Sequence, residues 1–461
     1  MSEAAVLRRT SSTFGLYLTF GCLGYLLTAL GAILPELREE RGLPRAEVAL
    51  YPSAFALGLV VVGIVGDRLA DRLGRLALPS ALVALVGGAA IIAAGGGRLG
   101  TGIGALVLGL GGAGLVQLIP AGLRALHGGD GAVPIGEANA VASTASVLSP
   151  VLIGASLAHG LGWRLAFAVP PLVLAAVLLL TRRAVAPQVR EGAAPQVRED
   201  AAPQVRKGAA PAAGGGAAPE VRGGAAPEVR KGAAPEVRGD AAPQVREGAA
   251  SAVREDAAPV AGDRAPRAFL SRWADLVLAV GVEFCMVFWA ADFLRSAKHL
   301  GSGAATTLSA AFLLGMAVGR MASGPVVRAA GRPDRLLAAA AGLGIAGFAV
   351  LWAAPAPLAV AGLLVVGLGV ALLYPVILAR ALAAWPSQPV RAAARCALAS
   401  GVAIGVAPLA LGTLADLTTL RAAVFVAPAL LLALLLRCGW RLRTAPRAAA
   451  GQPAPDALPR T

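Results

Sequence analysis

Near-continuous apolar runs of about 20 residues are long enough for a helix to cross a hydrocarbon core of about 30 Å. They recur near positions 13–35, 47–66, 76–96, 99–123, 137–158 and 163–181. After a polar stretch six more follow, near 270–294, 302–327, 334–353, 356–380, 391–413 and 420–437. The pattern predicts an all-α membrane protein of twelve transmembrane helices in two groups of six. Gly and Ala dilute several of these runs, and small residues are what let membrane helices approach closely. No small-residue cleavage site follows the first run, so it reads as a retained helix rather than a signal peptide.

The two groups are copies. An offset of 257 residues (294 minus 37) lays Leu37 on Leu294 and, without a gap, Arg38 on Arg295, Phe55 on Phe312, Gly58 on Gly315, Gly74 on Gly331 and Arg75 on Arg332. The same register carries Gly24 onto Gly281, Gly112 onto Gly369, Ser143 onto Ser400, Arg164 onto Arg421 and Pro171 onto Pro428. Parallel repeats of hydrophobic helices recur in secondary transporters, which place the substrate site between the halves. The expected organisation is a six-helix half at 1–182, a linker at 183–267 and a pseudo-symmetric six-helix half with a short polar tail at 268–461.

Composition agrees with a polytopic membrane protein: 57% of the 461 residues are hydrophobic and 15% charged. The net charge of +15 suggests nucleic acid until the Lys and Arg are followed along the chain. With a cytoplasmic N-terminus, the terminal segments and even-numbered connections hold seventeen of them against eight on the other side. That is the bias which orients membrane helices, so both termini are expected inside a plasma (inner) membrane, with the lipid bilayer and not nucleic acid as partner. Cys22, Cys285, Cys396 and Cys438 stand alone, as do His127, His159 and His299. Neither a disulfide framework, a metal site nor a cofactor is expected.

Between the halves, prolines recur at 187, 195, 203, 211, 219, 227, 235, 243 and 259 in units of roughly Ala-Pro-Gln/Glu-Val-Arg. Eight residues matches no helical period, and each Pro blocks helix continuation. Such composition is that of a disordered or loosely polyproline linker; a contact of its arginines with anionic lipid is the functional alternative.

Polar groups inside the spans are the candidate chemistry, because a charge at mid-bilayer costs roughly 2.5–3.5 kcal/mol on insertion scales and such groups usually mark pathways or proton relays. Glu283 sits near the centre of the seventh helix, where its repeat mate is Leu26. A carboxyl taken into low dielectric holds its proton more tightly, as a proton-coupling group requires; a protonated packing residue is the alternative. Gln117 and Arg124 are seven apart on the fourth helix and share a face. Tyr374 is the mate of Gln117, so this pair is expected to flank a central cavity, although structural use is an equal reading. Asn139 heads a polar stripe with Ser143, Ser146 and Ser149 on the fifth helix, and close packing also explains it. Trp289 is weighed evenly between stacking on a substrate ring and packing.

The connection after the second helix reads Gly66-Asp67-Arg68-Leu69-Ala70-Asp71-Arg72-Leu73-Gly74-Arg75, and the second half has a degraded copy in Gly324, Arg328, Gly331 and Arg332. A turn of this kind can set a carboxylate against a helix N-terminus, where unsatisfied N–H groups and the dipole favour negative charge; Asp71 is the candidate. The sequence resembles the signature loop of the major facilitator superfamily. Gly31-Ala32-Ile33-Leu34-Pro35 with Gly42-Leu43, and Gly162-Trp163-Arg164-Leu165-Ala166-Phe167, are similar to that superfamily's first-helix exit and sixth-helix entrance. The resemblance implies that Asp71 caps a helix of the opposite half and holds one conformation shut, with Arg72, Gly74 and Arg75 completing the gating motif. One departure is Asp67 where a Gly belongs, beside Gly66, which puts close helix approach there in question.

The expected function is secondary active transport of a small organic solute by alternating access, coupled to protons, in a monomer without enzymatic activity. Efflux of drugs or metabolites by proton antiport, or a sensor keeping the same fold, are the alternatives. Leu106 to Gly112 holds no Arg, and Ser149-Pro150 stands where drug exporters have Gly-Pro; both weigh against efflux.

Overall fold

A computed structural model describes residues 10–95, 97–127, 132–181, 265–330 and 332–444. The octapeptide repeats, and with them the expected linker up to residue 264, lie outside the described residues, as does Gly331. Among the described residues, twelve helices are long and apolar enough to cross a membrane: α1 Ser11–Arg41, α2 Arg45–Gly66, α3 Arg68–Ala93, α4 Gly97–Leu126, α5 Val133–Ala158, α6 Trp163–Leu180, α7 Arg267–Lys298, α8 Ser302–Met321, α9 Pro333–Ala353, α10 Ala356–Ala383, α11 Arg391–Leu417 and α12 Leu420–Thr444. Each predicted run finds its helix. Only closed backbone pairing survives in lipid, and a helix provides it within one segment.

The first helix of each half ends in the same way. After α1 the chain turns left-handed at Gly42 (φ 61°), whose N–H bonds back to Arg38 and Glu39 carbonyls. After α7 it turns left-handed at His299 (φ 57°), whose N–H bonds to the Leu294 carbonyl. Gly42 and His299 are repeat mates. Close packing within the halves is equally duplicated. A Cβ on Gly58 would come within 2.6 Å of the Leu110 N, and one on Gly315 would strike the Leu364 carbonyl, so α2 rests on α4 as α8 rests on α10.

Three seams join the halves. On α1, Gly31 lies against the Val287 carbonyl and Phe288 of α7; on α5, Gly154 lies against Gly303 and Thr307 of α8; on α11, Gly401 lies against Val60 of α2. In the first two a glycine lets backbones meet, and in the third it makes room for a side chain.

Two elements depart from the simple reading of spans. The α2 helix does not stop at Gly66: helical geometry runs unbroken from Leu50 to Leu73, so residues 68–73 of the α3 span continue it, the α-helix of α3 itself covers Ala77–Ala93, and most of the motif is the last two turns of a helix. In α10, one helix ends at Val370 and another begins at Leu373, placing Tyr374 in the first turn after the break.

At the end of the bundle where α7 begins and α12 ends, the second half carries a charge cluster. Asp275 is fully buried and meets Arg437 at 2.6 Å, Arg441 at 2.7 Å and Arg272 at 3.6 Å. Asp334 meets Arg380 at 2.8 Å, Arg272 at 3.0 Å and Arg441 at 3.2 Å. Two acids thereby tie the ends of α7, α9, α10 and α12 together.

Candidate functional site

Where α1 and α5 of the first half face α7 and α8 of the second, an open recess encloses about 490 Å³, counted out to its solvent mouth. Glu283 reaches into it from α7 and Arg320 from the last turn of α8, with Arg320 Nη2 3.2 Å from Glu283 Oε1. The Arg320 side chain is 42% exposed and that of Glu283 16%, so the pair stands at the recess wall. From the first half come Leu27, Thr28, Ser143 and Ser146. Thr28 donates to backbone carbonyls, the Ser146 carbonyl at 2.9 Å among them, and Ser146 donates to those of Gly24 and Ala142, both at 2.9 Å. The hydroxyl of Ser143 has no protein partner among the described residues. Phe284, Val287, Leu313, Met316 and Ala317 complete an otherwise apolar lining.

Of the candidate residues, Glu283 lies in this recess together with Ser143 and Ser146 of the fifth-helix stripe. Gln117 lies against α2, where a Cβ on Gly66 would sit 2.5 Å from its Oε1. One residue before Asp67, Gly66 leaves room for the Gln117 side chain. Arg124 and Tyr374 are half-buried; Asn139 is exposed and its amide donates to the Ile135 carbonyl at 3.0 Å. Trp289 is 2% exposed and donates its indole N–H to the Pro408 carbonyl at 3.0 Å. It is wedged against Gly412 of α11 and lines no part of the recess. Asp71, Arg72, Gly74 and Arg75 are exposed at the end of the long helix, where Gly74 turns with φ 49°. Gly324, Arg328 and Arg332 are exposed in the matching connection.

The sequence reading missed Arg320, which stands four residues from Gly324 and reads there as an ordinary flanking arginine. It also missed the other end of the seam. Where α1 and α7 end, Arg295 of the second half meets Glu36 and Glu39 of the first, each at 2.5 Å. In return, Arg38 and Arg45 of the first half meet Asp292 of the second at 3.5 and 2.8 Å. Asp416 of α11 accepts from the backbone N–H groups of Arg45 and Ala46, at 2.9 and 2.7 Å. An acid of one half thus caps a helix N-terminus of the other, where the dipole favours it. Asp416 makes this contact at the opposite end of the bundle from Asp71. Arg38 and Arg295 are repeat mates, so this latch is reciprocal.

The Major Facilitator Superfamily model matches residues 16–388. The chain belongs to this superfamily. No curated protein matches it in sequence. Among solved structures, a bacterial homologue of the human lysosomal transporter Spinster is similar with TM-score 0.64 and 14% identity, over 94% of this chain and 96% of that one. A nucleoside transporter matches with TM-score 0.63 at 11% identity, over 93% and 98%. The E. coli fucose:proton symporter matches with TM-score 0.54 at 13% identity, over 93% and 98%. At such identities these likenesses establish the fold, a major facilitator transporter with many membrane-spanning helices.

Proposed function

We propose that the chain is a secondary active transporter of a small organic solute, rocking residues 1–182 against 268–461 around the recess, with Glu283 as the proton-coupling group. The observation that carries this reading is the ion pair of Glu283 with Arg320 in a recess whose other wall belongs to the opposite half. A group whose charge state controls a contact at the moving interface can link protonation to opening. The latch of Arg295, Arg38, Arg45 and Asp416 serves as the closed gate on one side.

Each net positive charge carried inward contributes about 2.3 kcal/mol per 100 mV to accumulation, and a pH gradient drives proton-coupled uptake whatever the net charge. Glu283→Gln mimics the protonated state. In proteoliposomes it is expected to retain solute exchange and to lose accumulation driven by an imposed pH gradient. Continued gradient-driven accumulation by Glu283→Gln would remove Glu283 from the coupling.

A further inference from the structure

The recess has a polar inventory that discriminates among solutes. A polyhydroxyl solute needs many donors and acceptors, yet Thr28 and Ser146 have committed their hydroxyl protons to backbone carbonyls. What remains is the hydroxyl of Ser143 and the Glu283–Arg320 pair, among apolar side chains. The pair itself is lopsided. A guanidinium carries five N–H donors in a planar fork, and Arg320 gives Glu283 a single contact at 3.2 Å while 42% of its side chain is exposed. Glu283 is the more enclosed partner, at 16%. A cation entering the recess would meet Arg320 first; an anion would meet an under-used fork.

We propose that the recess takes a small organic anion, a carboxylate on an apolar body, with Arg320 as its counter-charge and Ser143 as a second donor. Arg320 binds carboxylates through paired N–H groups, which suits the planar fork. The apolar body lies on Leu27, Phe284, Val287, Leu313 and Met316. The inference rests on the transporter reading and deepens it. When Glu283 takes a proton, an O–H bond forms and Arg320 loses its counter-ion. The solute's carboxylate then replaces that of Glu283, so proton and anion enter together and the recess remains neutral. Glu283 and Arg320 are the charged groups of its lining; α1 and α5 present only Leu27, Thr28, Ser143 and Ser146 to them.

The test uses full-length purified protein and a matched series of probes: hexanoate, hexanamide and hexylammonium, with benzoate as a second acid. Binding is read by calorimetry and by the shift in melting temperature. Hexanoate and benzoate are expected to bind at least about tenfold more tightly than hexanamide, as a charge-assisted bidentate contact implies, and hexylammonium is expected not to bind. Glu283→Gln should bind the acids as tightly or more so, Arg320→Gln should lose them, and Arg320→Lys should keep a weakened site. The double variant Glu283→Gln/Arg320→Gln, which leaves no unpaired charge, guards against a folding defect and should also fail to bind the acids. Equal binding of amide and acid, binding of the ammonium, no binding of either acid, or acid binding undiminished in Arg320→Gln or the double variant would each overturn the proposal. Coupling fails separately: if the acids bind through Arg320 while Glu283→Gln still accumulates them along a pH gradient, the coupling reading falls and the anion site stands. If accumulation depends on Glu283 but only uncharged solutes are carried, the reverse holds.

Discussion

At the middle of α1 stands Leu26; at the same place in α7 stands Glu283. One helix further on, Gly63 of α2 corresponds to Arg320 of α8. The ion pair of the recess therefore has two apolar mates, and the contrast recurs at the bundle end, where Asp275 and Asp334 correspond to Leu18 and Ala77. Other positions did not diverge. Gly58 and Gly315 both lie where a Cβ would strike a neighbouring helix backbone, and Arg38 and Arg295 both reach across to the other half. The difference lies in what each position must satisfy. A helix crossing at van der Waals distance admits only glycine in either copy, whereas a site between two halves needs each charged group once.

The largest effect that would break this comparison lies in the second half's cluster, whose acids have Leu18 and Ala77 as mates. Asp275→Asn removes a carboxylate with no exposure, leaves Arg437 without its acid and leaves Arg272 and Arg441 to Asp334 alone. Removing one member of a buried ionic group is expected to cost about 3–5 kcal/mol, seen as loss of folded protein in size-exclusion chromatography and a lower melting temperature. Leu18→Ala, at the half-exposed mate, should change little. An unaltered Asp275→Asn would mean that the arginines are held by solvent and not by the acid.

A smaller effect sharpens the comparison at the recess. Arg320→Gly alone imposes the first half's residue while leaving Glu283 without its cation; adding Glu283→Leu restores the first half's pattern in full. The double variant should be the more stable by about 1–2 kcal/mol, below the value for a buried pair because Arg320 is partly solvated. A single variant as stable as the double would show that Glu283 needs no counter-charge.

These contrasts also explain what was legible beforehand. Span length, the 257-residue register and Glu283 could be read because lipid imposes a fixed length and makes a mid-span acid conspicuous. Arg320, Asp275 and Asp292 stand towards span ends, where positive-inside flanks and interfacial charges are ordinary, so nothing in their spacing separates a partner from a flank. The pairing of Arg320 with Glu283 joins residues 37 apart on two helices, and only helix rotation brings them together. The helical course of the signature motif to Leu73 was illegible for another reason: its Asp and Arg residues suit the end of a solvated helix as well as a loop. The break in α10 at 371–372 does have a sequence cause: Pro375 has no N–H to bond back to Ala371, and its ring crowds the carbonyl there.

The latch arginines test how far mates with the same role have drifted in strength. Arg295 makes two ion pairs at 2.5 Å, Arg38 one at 3.5 Å. Arg295→Gln should therefore shift the equilibrium away from the latched state by about 1 kcal/mol, roughly fivefold, and Arg38→Gln by less. The rate at which a cysteine placed at Ala32, in the narrow gap between recess and latch, reacts with a soluble thiol reagent reads this shift. Equal rates in the two variants would deny the ranking, and rates equal to that of the parent would deny the latch.

The smallest effect concerns the left-handed turn that ends α1 and α7. Gly42 adopts φ 61° without penalty, while His299 adopts φ 57° with a Cβ, a conformation that costs an L-residue roughly 1–2 kcal/mol. Nothing lies within 4 Å of a Cβ built on Gly42, so the two sites differ in backbone preference and not in space. Gly42→Ala should then destabilise the protein by about 0.5–1 kcal/mol, since Ala also narrows the unfolded ensemble and offsets part of the strain. His299→Gly should stabilise it by a similar amount, the relief of strain exceeding the entropy that glycine returns to the unfolded chain. His299 is exposed, so its loss sacrifices no buried contact. Melting temperatures of the two variants, measured side by side, should move in opposite directions. If His299→Gly lowered the melting temperature, the imidazole would have to hold the turn through a contact of its own, and the two ends would be alike in shape but not in cause.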